Sequence, residues 1–361
     1  MATTTVPRYL KGYEAAYAEN PRAAAGEWFR AAKYGLFLHY GLYSLLGRHE
    51  WVQCRECIRP GDYAELAHAF KADSFDANAI ANFAVECGMR YINITTRHHD
   101  GFCLWDTAES TFNCAQGAPC GRDLVGELAK ACDERGLGLF LYYSHGRDWK
   151  HPHAPGNDRY GGSARPEYDP PEPTYAVDPA HDLNAYLAFM SAQITELLTN
   201  YGPVAGIWLD GIGVPLQPKD EKGNVVENYD PARDGDPFRC QDLYDMIHNL
   251  QAQALVSYKQ GYLGSEDFFA PEHKVYNRFG DVAADKPGEV CTTAGGGWGY
   301  TAGNRYCTED ELWDTLTATL SGGYNLLMNV GPLPDGSLPA GAAKVLRNVG
   351  TRIREKGFPE S

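Results

Sequence analysis

Long apolar runs are missing from this 361-residue chain. A membrane-spanning helix needs about 20 consecutive apolar residues, so no membrane partner is expected. The N-terminus, Met1-Ala2-Thr3-Thr4-Thr5-Val6-Pro7-Arg8, lacks the apolar core of a secretory leader, and a cytoplasmic location is expected. Basic charge is also scarce. The formal net charge of −15 argues against nucleic acid or an anionic lipid surface as a partner. The ten cysteines, scattered from Cys54 to Cys307, show no disulfide framework. Cys54-x-x-Cys57 has redox or zinc spacing, but no second such pair completes a tetrahedral site, and both read as ordinary thiols. No Gly-x-Gly-x-x-Gly opens a first helix, so nothing points to a dinucleotide fold.

What is present is apolar and aromatic. Hydrophobic residues make up 43% of the chain, enough for one large α/β domain. Trp 7 and Tyr 23 supply flat faces of the kind that pack on the C–H faces of a pyranose. Apolar strand-like runs end at His39 (Lys33 to Gly41), Thr96 (Gly88 to Thr96), Ser144 (Gly138 to Ser144), Leu209 (Val204 to Leu209) and Tyr258 (Ala254 to Tyr258), with further candidates at Glu289 to Thr293 and Tyr324 to Val330. Helical patterns lie between them over 75–87, 123–135, 183–201, 240–253 and 309–320, and a last one follows over 340–354. This alternation predicts a parallel sheet with helical crossovers, and seven or so units favour a closed (β/α)8-like TIM barrel of the α/β class, regular or irregular, over an open doubly wound sheet. Two long irregular stretches, Asp148 to Asp182 and Val214 to Arg239, follow strands and should overhang the C-terminal face.

The most telling segment is Ile207-Trp208-Leu209-Asp210-Gly211-Ile212-Gly213. A buried strand here delivers one carboxylate to its C-terminal end, where barrel chemistry sits. Alone, such an Asp usually just opens a turn. The other strand ends, however, carry His39, His98-His99-Asp100, Tyr142, Tyr143 and His145, with Lys259 and Glu266-Asp267 after the fifth strand. Barrel closure would converge these on one cavity. A metal centre on His98, His99 and Asp210 is not expected. Adjacent histidines on an extended segment point to opposite sides unless a bulge intervenes, and no His-x-x-x-His pair exists. Glycoside hydrolysis fits the inventory better: it needs two carboxyl groups, polar readers for sugar hydroxyls and an aromatic platform.

Seven collinear segments carry a specific resemblance. They are Lys33 to Gly41, Glu50-Trp51, Thr95 to Trp105 (TTRHHDGFCLW), Arg122 to Glu127, Tyr142 to Ser144, Trp208 to Gly211 and Gly323 to Pro332 (GYNLLMNVGP). Together they resemble the retaining α-L-fucosidases, glycoside hydrolase family twenty-nine. The resemblance implies an exo-acting hydrolase for terminal α-linked L-fucose, without a cofactor. Its substrate would be a fucosylated oligosaccharide or glycoconjugate, and Asp210 would be the nucleophile. It places His39, Glu50, Trp51, His98, His99, Tyr142 and Trp208 around the sugar, with Trp298 against its apolar face. Lys259 falls where the family often has an arginine, so an ammonium there replaces a forked guanidinium.

The acid/base is open between Glu272, the last residue of an Asp-Phe-x-x-x-Glu string, and Glu289, with Glu266 and Asp267 behind them. Members of the family commonly carry a C-terminal β-sandwich. This chain stops at Ser361, so residues 1–361 are expected to form a single catalytic barrel domain without one, with a homo-oligomer covering the flank left bare. Two other readings remain: a fucose-binding, lectin-like barrel without turnover, and a glycosidase for a related sugar such as an α-galactoside.

Overall fold

The computed structural model describes residues 5–157, 164–210, 238–258, 265–275 and 286–359. Its strands are β1 (Tyr34–Leu38), β2 (Tyr91–Arg97), β3 (Gly138–Ser144), β4 (Gly206–Asp210), β5 (Leu255–Tyr258), β6 (Phe268–Phe269), β7 (Gly288–Thr293) and β8 (Tyr324–Val330). Each pairs in parallel with the next, and β8 returns to β1 through five register partners, Tyr34 with Leu326 to Leu38 with Val330. The result is the closed eight-stranded barrel expected from the alternation. Sequence periodicity found seven of the eight strands. The eighth is β6, whose two residues are too short for any period to register, so the sixth and seventh expected strands are β7 and β8.

The main helices are α1 (Pro21–Ala32), α2 (Ala77–Glu86), α3 (Leu124–Arg135), α4 (Leu183–Thr199), α5 (Cys240–Leu250), α6 (Glu309–Ser321) and α7 (Ala340–Lys356). Their starts follow from capping chemistry. Asp76, Asp123 and Asp182 each accept a backbone N–H of the first turn, and Thr308 with Glu311 forms a reciprocal capping box. Gly136, at φ 64, ends α3 in the left-handed conformation its sequence position suggested.

Helix α1, for which the sequence analysis made no assignment, closes the N-terminal end of the barrel. Its Phe29 ring lies 5.6, 5.4 and 4.5 Å from those of Tyr91, Phe140 and Phe268, and Trp28 packs edge-on to Tyr91. Above this floor the interior is filled by Phe37, Tyr142 and Trp208, whose rings are mutually within 6 Å. Of the two long loops, Val214 to Arg239 lies outside the described residues apart from Phe238 and Arg239.

Gly35 is required by this packing. A Cβ there would stand 2.4 Å from the Tyr91 ring, and Tyr91 is itself anchored by its hydroxyl to Glu289 at 2.6 Å. Gly35→Ala is therefore expected to destabilise the fold by about 1–3 kcal/mol. The check is a lower urea midpoint at an unchanged m-value, and a wild-type midpoint would contradict it.

Candidate active site

Asp210 is the last residue of β4 and is 6% exposed. It needs strong donors to remain there as a carboxylate. Tyr142 Oη donates to its Oδ2 at 2.6 Å, and His99 Nε2 stands 3.8 Å from the same oxygen. Burial first, and then the neighbouring Asp210 charge, push the Tyr142 phenol well above its ordinary range, so Tyr142 stays a donor. The backbone is held as firmly. The Asp210 carbonyl accepts the N–H groups of His145 at 2.8 Å and Gly146 at 3.1 Å, which ties the end of β4 to the loop leaving β3.

His98 and His99 share this cavity. Strand β2 ends at Arg97, and the two histidines lie in the turn that follows, closed by the Gly101 N–H on the His98 carbonyl at 3.1 Å, so the strand alternation that would have sent the two rings to opposite sides no longer applies. They lie 4.1 Å apart, His98 stacks on Tyr142 with only 4° between planes, and His99 Nδ1 meets Ser144 Oγ at 2.6 Å. The sequence argument against a shared orientation is thus corrected. Ligand atoms of His98, His99 and Asp210 lie within 4.8 Å of one another, close enough to surround a cation. His99 Nδ1 meets Ser144 Oγ and Asp210 Oδ2 accepts from Tyr142 Oη, contacts that fix the orientation of both groups.

The opposite wall comes from β1 and β8. His39, one residue past β1, meets Asn329 Oδ1 at 2.7 Å, while Asn329 Nδ2 donates to the Trp298 carbonyl at 2.7 Å. An amide oxygen only accepts, so His39 Nδ1 is the donor. Trp298 stands between His39 (5.2 Å) and His273 (5.5 Å). Glu50 is buried, which raises its pKa, and the Gly299 N–H at 2.8 Å opposes that rise. Trp51 packs edge-on against His99 and Trp149, both at 5.2 Å, and carries the Arg147 guanidinium 5.3 Å above its ring.

The acid/base candidates separate by position. Glu289 sits in the N-terminal half of β7 and is 1% exposed; its oxygens accept from Tyr91 Oη at 2.6 Å and Trp208 Nε1 at 2.9 Å. It belongs to the barrel interior, and the Trp208 N–H points inward to it. Glu266 and Asp267 precede β6 and face other partners. Glu266 accepts from Tyr244 Oη at 3.3 Å, and Asp267 takes the Val256 N–H at 2.8 Å and His248 Nε2 at 3.0 Å. Glu272 follows β6, bridges to Cys291 through its backbone, and acts electrostatically on Arg147 together with Asp210. Its neighbour His273 is exposed and tilts against Trp298 at 5.5 Å, and Glu272 is half-buried, at the rim of the cavity. Lys259 lies outside the described residues.

Sequence reasoning did not single out Asn329, Arg147 or Tyr91. Asn329 lies within one of the quoted strings, and a polar residue at the end of β8 was the available signal.

The alpha-L-fucosidase family model matches residues 2–357. The chain belongs to the alpha-L-fucosidase family. It is 27% identical to the plasma alpha-L-fucosidase of Rattus norvegicus over 96% of this chain and 72% of that protein. Among solved structures, alpha-L-fucosidase isoenzyme 1 from Paenibacillus thiaminolyticus superposes with a TM-score of 0.77 at 33% identity, covering 93% of this chain and 77% of that one. Alpha-L-fucosidase AlfC from Lactobacillus casei, solved with its alpha-L-fucose product, gives 0.75 at 28% identity over 92% and 98%. As an alpha-L-fucosidase family member, the chain is a glycoside hydrolase on a TIM barrel.

Burial raises Glu289 to about 7 from an ordinary value of 4.5. Its acid form is therefore favoured by folding. The stability it lends is complete below 4.5 and is lost as pH rises through 7, a swing on the order of 3 kcal/mol. Glu289→Gln should flatten the fall in unfolding free energy between pH 5 and 8 relative to wild type, as followed by urea titration. Parallel pH slopes in the two proteins would contradict it.

Proposed function

We propose that this family member releases terminal α-linked L-fucose with retention of configuration, from a fucosylated oligosaccharide or glycoconjugate. The observation that carries the reading is Asp210, a buried carboxylate held by Tyr142 Oη at 2.6 Å beneath a wall of histidines. Asp210 Oδ attacks the anomeric carbon as the bond to the leaving oxygen breaks. A covalent fucosyl-enzyme forms, and the Tyr142 and His99 contacts fix the direction of attack. Glu272 gives its proton to the leaving oxygen, then takes one from the water that cleaves the ester and frees fucose. The rim position of Glu272 supports it in this role over Glu289, whose oxygens are already engaged within the barrel. A retaining pair works with carboxyl groups about 5–5.5 Å apart.

Two structures of one relative support fucose as the sugar and suggest what can lie beyond it. AlfC has been solved with alpha-L-fucose and, as an aspartate-to-alanine variant, with Fuca(1,6)GlcNAc. In this chain His39, His98 and His99 would read the hydroxyls, Trp298 would take the apolar face, and Glu50 and Trp51 would border them. The long loop from Asp148 leaves β3 on the same side and would meet the aglycone.

Aryl α-L-fucoside, β-D-fucoside and α-D-galactoside assayed side by side test the sugar; turnover is expected with the first. Asp210→Ala should lower kcat on it by on the order of 10³-fold or more. Glu272→Ala should slow substrates with poor leaving groups far more than those with good ones. Equal losses on both kinds would remove Glu272 from the role, and a fully active Asp210→Ala would end the proposal.

A further inference from the structure

The loop that leaves β3 places a cation at the same cavity. Ser144 Oγ, which also meets His99, donates to the Arg147 carbonyl at 2.7 Å. The two residues before Arg147 donate their N–H groups to the Asp210 carbonyl. The residue after it, Asp148, is drawn inward to the buried Arg97 guanidinium, which also donates to the Ser144 carbonyl at 2.6 Å. Both ends of the turn are therefore fixed, and the Arg147 side chain lies over the Trp51 ring. Trp51 in turn touches His99, which stands beside Asp210.

Resting on the reading of Asp210 and Glu272 given above, we infer that Arg147 is a positioning residue of the reaction: its guanidinium, laid on Trp51, holds Asp210 as the carboxylate that attacks and biases the charge of Glu272. Burial lowers the Arg147 guanidinium from its usual range, and the charges of Asp210, Tyr142, Cys54 and Glu272, in falling order, act to raise it again. Other titratable groups at this cavity, among the described residues, are His98 and His99 after β2, His39 after β1, Tyr43 beside His98 and His273 beside Glu272. A guanidinium keeps its charge throughout the working pH range, and stacking on an aromatic face orients it without spending its hydrogen-bond donors.

The sign of the effect is specific. Without the cation, each carboxyl group holds its proton to higher pH. The acidic limb of kcat/KM, which reports the carboxylate that must be ionised, moves up. The alkaline limb, which reports the acid that must stay protonated, moves the same way by less, because Asp210 is the stronger partner. A part that only stabilises the fold would scale the bell without displacing it.

The experiment is kcat/KM for an aryl α-L-fucoside against pH in the full chain, for wild type, Arg147→Lys and Arg147→Gln, with Arg147→Met as the alternative should the glutamine variant not fold. The expected result is an upward displacement of the acidic limb by roughly one pH unit or more in Arg147→Gln, with Arg147→Lys close to wild type. A bell of unchanged position in Arg147→Gln, or in Arg147→Met, overturns the inference alone. Wild-type turnover that survives Asp210→Ala overturns the underlying reading and the inference with it.

Discussion

A carboxylate buried at a strand end is the constraint around which this barrel mouth is arranged. Asp210 is almost withdrawn from water, and a charge so placed survives only where donors and opposite charge replace its hydration. Three segments supply them. The β3 strand contributes the Tyr142 hydroxyl, its following loop contributes the charge of the Arg147 guanidinium, and the turn after β2 contributes His99. Each of these groups is held in turn by something that does not touch the carboxylate. Ser144 holds His99, His98 stacks on Tyr142, and Arg97 with Asp148 pins the loop. Orientation is thus set by the protein before any sugar arrives, which is where preorganised electrostatics gains its effect.

The chain solves the same physical problem differently at Glu289. That side chain is deeper and receives two neutral donors, Tyr91 and Trp208, with no cation among the causes acting on it. It is therefore pushed toward its protonated form, whereas Asp210 stands among groups suited to a charge. Asp100 is a third case: burial raises it to about 6, against the opposing pull of the Tyr63 hydroxyl at 2.9 Å. Carboxyl groups close in sequence to the site chemistry thus differ in role according to what surrounds them, and the residue type alone does not distinguish them.

This explains how far the sequence could be read. The barrel was legible because seven of its strands are apolar runs long enough to stand out between amphipathic helices; Gly138 to Ser144 has the same bounds in both readings. β6 was not legible, being two residues long and defined by its neighbours. The alignment of His39, His98, His99, Tyr142 and Asp210 at one mouth followed from strand ends, since closure of a parallel barrel brings all C-terminal ends together. The joint orientation of His98 and His99 did not follow, because the strand stops at Arg97 and the alternation expected of an extended segment gives way to a turn. Nor could the competition among acidic residues be resolved along the chain. Glu289 and Glu272 differ by whether their strand has yet emerged from the barrel, which depends on shear and register. Arg147 was visible as a letter in the string after β3, but its approach to Asp210 depends on Asp148 being pulled the other way.

The floor laid by Trp28 and Phe29 has a consequence for traffic. With aromatic rings sealing the far end, the cavity is a well and not a tunnel. A polymer cannot thread through it, so whatever enters does so by its tip, and both products of a cut leave by the same doorway. That shared route is imposed by the plug at the bottom, some distance from any atom that reacts.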